Sequence, residues 1–161
     1  MIELLGEYSE EDGTFRMLEN GETPHFQISP MFVKGDLEEA VKETMQRDLV
    51  YVIFSVFVHT DLNAVRVTVV PAVLTDFKTR QKELRPNNSI TLETTRDDAL
   101  SVLKTHAHVE SLDELCGVTI EGTYAPDMPT DVFNRCMYND QGPPTLRLIL
   151  FELSTTSRVS R

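Results

Sequence analysis

Residues 47 to 74, RDLVYVIFSVFVHTDLNAVRVTVVPAVL, constrain this chain more than any other stretch. Nearly every position is apolar or β-branched, with one polar interruption at HTDLNA. A membrane-spanning helix needs about 20 consecutive apolar residues. The run from Leu49 to Val58 falls well short of that before His59, Thr60 and Asp61 stop it. Val50, Val52, Ile53, Val56 and Val58 have stiff side chains that pack well on a pleated surface. Two such runs around a polar turn read as a β-hairpin. Its first strand would carry Val50, Val52, Phe54, Val56 and Val58 on one face and Tyr51, Ile53 and Phe57 on the other. Apolar on both faces, that strand suits the centre of a sheet. In the second strand Val65, Val67 and Val69 alternate with Arg66 and Thr68 until Pro71 removes a ladder donor. The competing use of the first strand is an exposed surface for dimerisation or partner binding.

The flanking segments supply the other elements. GDLEEAVKETMQRD predicts a helix with Asp36 as N-cap, Glu39 completing a capping box, and Leu37, Ala40, Val41, Thr44 and Met45 on one stripe. TRDDALSVLKTHAHV predicts a second long helix, entered through Thr95 or Asp97. TFRMLENG, HFQISPMFV with a bend at Pro30, NSITLET, VTIEGTY and TLRLILFEL read as strands. KTRQKELRP reads as a short basic helix or loop stopped by Pro86. SLDEL opens on a capping box, Ser111 to Glu114, and TDVFNRCMY is a short helix. The expected fold is α+β: a mainly antiparallel sheet of about five to seven strands, with two longer helices packed on one face. Residues 1–153 are expected to form a single domain and residues 154–161 a polar, flexible tail.

Charge narrows the function. Against 15 Lys and Arg stand 26 Asp and Glu, a formal net charge of −11. Binding phosphates needs a basic face, so direct nucleic-acid binding is disfavoured, as is docking on anionic membranes. The acid is uneven. Glu3, Glu7, Glu10, Glu11, Asp12, Glu19 and Glu22 face a single Arg16 within residues 1–22. Conversely, KTRQKELR holds Lys78, Arg80, Lys82 and Arg85 against Glu83 alone. No basic leader runs into an apolar stretch, and Cys116 and Cys136 lie far apart without CxxC spacing. A cytoplasmic protein with two unpaired thiols is expected.

Signatures of catalysis are missing: no phosphate-binding glycine loop, nucleophile elbow or H-E-x-x-H motif occurs. The best candidate for chemistry is THAHVESLDELC, with His106, His108, Glu110, Asp113, Glu114 and Cys116. If residues 96–109 are helical, His106 and His108 point about 200° apart. They are then poor joint ligands, and neither metal nor cofactor is expected. Neither cysteine has a sequence neighbour that would activate it as a nucleophile, although Arg135 precedes Cys136.

The leading expectation is a non-catalytic protein that binds another protein stoichiometrically, as inhibitors, immunity proteins, chaperones and accessory subunits do. Its partner would present a basic face to Glu7, Glu10, Glu11 and Asp12, with Lys78, Arg80, Lys82 and Arg85 as a second binding stretch. A homodimer is compatible with this reading. Two alternatives come from other classes: a small enzyme or metal-binding protein centred on His106 and His108, and an acidic mimic of nucleic acid.

Overall fold

The computed structural model describes residues 8–121, 123–138 and 149–154. Its elements mix strands and helices in the α+β manner. A central ribbon is built from β1 (Phe15–Glu19), β2 (His25–Ile28), β3 (Met31–Val33), β4 (Ala64–Val69), β5 (Ala72–Asp76), β6 (Gln81–Leu84) and β7 (Ile90–Thr95). The order β1-β2-β4-β7 makes a four-stranded sheet and β3-β5-β6 a three-stranded one. All their pairings are antiparallel except β2 with β4 and β3 with β5, which are parallel. Parallel neighbours need a crossover, and the helix α1 (Glu38–His59) supplies it.

The two sheets are halves of one creased surface. Ile28 faces Val69 and Met31 faces Ala72, so Pro30 and Pro71 sit side by side between the halves. Val70 N donates to Ile28 O, Ala72 N to Pro30 O and Arg85 N to Pro71 O, each at 2.9 Å, so the chains stay tied across the crease. On the third strand the short 3-10 turn Pro86–Asn88 bulges out at the same level. Each proline deletes a cross-strand donor. The bend expected at Pro30 from HFQISPMFV is present, and Pro71 ends β4.

The predicted hairpin is corrected in its first half. Residues 49–58 are the second half of α1, which runs unbroken from Glu38 to His59. Asp48 to Val50 and Val52 to Phe57 are all buried, with Val50, Val52, Ile53, Phe54 and Val56 at 0% exposure. β-branched residues cost only a few tenths of a kcal/mol each in a helix relative to good helix formers. Full burial of one Val, Ile or Phe side chain contributes about 1.5–3 kcal/mol, so tertiary burial wins. A helix apolar all round must be covered all round. β4 and β7 lie against α1 on the sheet side, and α3 (Asp131–Tyr138) and the 3-10 turn Leu112–Leu115 also pack on it. There the Tyr51 and Phe133 rings meet edge-on, with centroids 5.6 Å apart. Among the described residues no helix is long and apolar enough to cross a membrane.

The predicted start of α1 also changes. Leu37 occupies the N-cap with no side-chain cap. Asp36 instead accepts a hydrogen bond from Val33 N at 2.8 Å, and its own N–H donates to Val33 O. The residue read as a helix cap therefore closes the edge strand β3, which blunts that edge against pairing.

The second long helix, α2 (Arg96–Ala107), starts at Thr95 as expected; the Thr95 side chain accepts from Asp98 N. Arg96 reaches back to the Leu62 and Thr60 carbonyls and stacks 5.3 Å from the Phe57 ring, fixing the end of α1 to the start of α2. The Ser111–Glu114 capping box is formed. Three other segments differ from expectation. KTRQKELRP is a turn followed by β6. VTIEGTY contributes to two antiparallel strands, β8 (Cys116–Ile120) and β9 (Thr123–Pro129). Of TLRLILFEL, residues 145–148 lie outside the described residues and 149–153 are helical, with Ile149 and Leu153, one helical turn apart, both fully buried.

Candidate functional site

Two charged stretches that lie far apart in sequence meet on one surface. The first is the turn at residues 9–13. Gly13 takes φ of +61°, a conformation glycine adopts without steric cost. Gly13 N donates to Glu10 O at 3.0 Å, and Asp12 N donates to Ser9 Oγ at 3.0 Å. This arrangement leaves Glu10, Glu11 and Asp12 exposed. The second is the β5–β6 hairpin. Asp76 Oδ1 accepts from Lys78 N at 2.7 Å, and that hydrogen bond holds the Asp76 carboxyl below its usual range. Lys78 and Arg80 project from the exposed tip, beside Phe77 at 73% exposure.

Lys82 joins the two. Its ammonium donates to the Asp12 carbonyl across 70 residues of sequence. An exposed contact of this kind contributes at most about 1 kcal/mol, so it matters for placement rather than stability. Arg85 does not join the junction in the same way; it pairs with Glu83 at 3.0 Å. Glu7 lies outside the described residues.

The histidines of THAHV separate because the helix expected over 96–109 ends between them, at Ala107. His106 stays on α2, with Nε2 2.9 Å from Glu152 Oε1 but without hydrogen-bond geometry. His108 is the exposed, left-handed residue closing that helix, with φ of +55°. Among the described residues no three His, Cys, Asp or Glu side chains gather to hold a metal ion. Cys116 and Cys136 are not joined in a disulfide. Cys136 is buried, and burial pushes its thiol pKa up, with Arg135 opposing the shift.

A second polar surface escaped the sequence reading. Strand alternation turns Phe26, Ile28, Val65, Val67, Val69 and Leu92 into the core and leaves His25, Gln27, Arg66, Thr68, Thr91 and Glu93 on the opposite face of the four-stranded sheet. His25 Nε2 lies 2.8 Å from Thr68 Oγ1, which lies 2.8 Å from Thr91 Oγ1. Arg66 Nε donates to Glu93 at 2.7 Å, and Arg66 is 4.0 Å from Glu19. The His25 pKa is lowered by partial burial and then by the Arg66 charge, while Glu19 and Glu93 act the other way. The signal was available in V-R-V-T-V and H-F-Q-I, whose polar members must share a face. This face nearly neutralises itself, which makes it a flat, hydrogen-bonded platform rather than a charged cradle.

No protein-family model matches the chain, nor does any curated protein or solved structure.

Proposed function

We propose that this chain is a stoichiometric protein-binding protein that meets its partner at the junction of the 9–13 turn and the β5–β6 hairpin. The observation carrying this reading is the Lys82–Asp12 contact. It joins the turn that carries Glu10, Glu11 and Asp12 to the hairpin that carries Lys78, Arg80 and the exposed Phe77. Interfaces draw their energy from buried aromatic or arginine anchors, and rim charge selects the partner. Phe77 and Arg80 fit the first role, and the acidic turn fits the second. The strong net negative charge directs the turn towards a basic partner face. The same reading places the chain in the cytoplasm, with both thiols reduced.

Affinity capture at physiological salt tests this, with the native chain beside Phe77→Ala/Arg80→Ser and Glu10→Ser/Glu11→Ser/Asp12→Ser variants. One protein retained at a fixed ratio by the native chain and lost by the first variant supports the proposal. No retained protein, or equal retention by all three chains, overturns it.

A further inference from the structure

The strand edges of the creased surface are protected unequally. An edge offers unpaired N–H and C=O groups to any other strand, and proteins blunt it with bulges, prolines and charges. Asp36 closes the edge at β3. β1 carries a register break between Met17 and Glu19, and β6 presents Lys82 and Glu83 just before Arg85. β7 has no break, proline or lysine. Its six residues pair with β4 in unbroken register, and among the described residues no strand covers its other side. Arg96 N donates to Asn63 O at 2.8 Å, extending that ladder by one rung. Rungs of an antiparallel ladder alternate. Ile90, Leu92 and Thr94 therefore turn their backbone groups towards β4, and Thr91, Glu93 and Thr95 turn theirs outward. Beside this edge runs an apolar groove of about 330 Å³, lined by Ile90, Leu92, Leu49 of α1, Leu150 and Phe151.

We infer that the outer edge of β7 pairs with the β7 edge of a second copy of this chain, antiparallel about a two-fold axis at Leu92. In that register Thr91 of each copy lies opposite Glu93 of the other, and each such pair exchanges two hydrogen bonds. Leu92 meets its own mate and Ile90 meets Thr94, so no like charges stand directly opposite. Both Leu92 side chains lie on the core side of the sheet, which brings the two apolar grooves together at the axis. Charge at the strand ends selects the same arrangement. Arg85 precedes β7 and Asp97 follows it, and both are exposed. Antiparallel pairing carries the Arg85 end of each copy to the Asp97 end of the other, whereas a parallel pairing would set like charges together. A two-fold contact also closes, so assembly stops at two. A six-residue strand is about 20 Å long. A strip of that length across one sheet layer and one helix layer, each about 10 Å deep, covers about 400 Å² per copy, half of a standard interface. The dimer is therefore weak and depends on concentration. Two chains of net charge −11 repel at long range, so it tightens as salt screens them.

Equilibrium sedimentation of the full chain over a concentration series tests this. The expected mass rises from monomer to dimer and no further, with more dimer at higher salt. Opposite charges directly across a strand pair attract and like charges repel. Thr91→Lys is accordingly expected to tighten the dimer and Thr91→Glu to weaken it, each by about twofold to thirtyfold in dissociation constant, since the pair occurs twice. Gln27→Lys and Gln27→Glu make the same charge changes two strands inward, and they are expected to shift the dimer far less. Thr91→Pro removes an outward donor without touching the β4 ladder and is expected to abolish the dimer. If that variant fails to fold, the Lys and Glu pair still decides. A monomer at every concentration, whatever foreign strand the edge then accepts, would overturn the inference. So would assembly beyond two copies, a dimer indifferent to charge at residue 91, or equal shifts from residue 27.

Discussion

His25 shows how a single residue couples the open sheet face to pH. In the folded chain its imidazole holds a proton less tightly than the usual value of 6.5, chiefly because it is partly buried and secondarily because Arg66 is near. As pH falls through 6.5, the unfolded chain therefore binds a proton that the folded chain resists. Stability drops over that window and levels off only below the folded pKa. His25→Gln is expected to flatten the stability profile between about pH 7 and pH 5, as read from urea melts at each pH. An unchanged slope would assign the acid sensitivity elsewhere. The residue itself was legible only as one letter of H-F-Q-I. Its importance depends on Thr68 and Arg66, more than 40 residues away, and no local pattern encodes that meeting.

At the scale of elements, α1 is the instructive case. A short run of consecutive apolar residues fits a buried strand and a buried helix equally well, and the β-branched composition favoured the strand. The better signal was continuity: no glycine or proline interrupts the chain between Asp36 and Val70, so nothing ends the helix at Arg47. ILFELS at 149–154 repeats the lesson, because a short apolar run fits either element. The Thr95 cap, the Ser111–Glu114 box and the Pro30 bend were read correctly from local signals, whereas the Asp36 cap was not, because β3 takes its carboxylate. Phe54 lies at 0% exposure on α1. Phe54→Ala is expected to cost about 3–5 kcal/mol of stability in equilibrium denaturation. A cost below about 1 kcal/mol would put this side chain outside a close-packed core.

For the whole molecule, the uneven charge governs encounter more than fold. Screening at physiological salt acts over about 8 Å, so only carboxylates near the contact steer a partner. With the partner identified by capture, association by the native chain is expected to slow as salt rises. Glu10→Ser/Glu11→Ser/Asp12→Ser is expected to lower the on-rate and flatten that dependence, with its melting temperature unchanged because these residues sit in an exposed turn. Stopped-flow kinetics at several ionic strengths would reveal a salt-indifferent native chain, which would leave the acidic turn only a role in solubility. The turn and the basic stretch were each legible from composition, but their junction through Lys82 was not, since it depends on where the creased sheet carries β6. That crease has a consequence for cooperativity. Pro30 and Pro71 remove rungs from neighbouring gaps at one level, so a local opening that starts in β3, β5 and β6 has a place to stop. Those strands also carry the more exposed residues. Native-state hydrogen exchange is expected to resolve two units: amides of β3, β5 and β6 exchanging together through a small opening, and those of β2, β4 and β7 only through global unfolding. One shared opening energy across both sets would mean that the line of prolines bends the sheet without dividing it. With two units, the β5–β6 hairpin bearing Phe77 and Arg80 can loosen while the helix-backed half keeps the molecule folded.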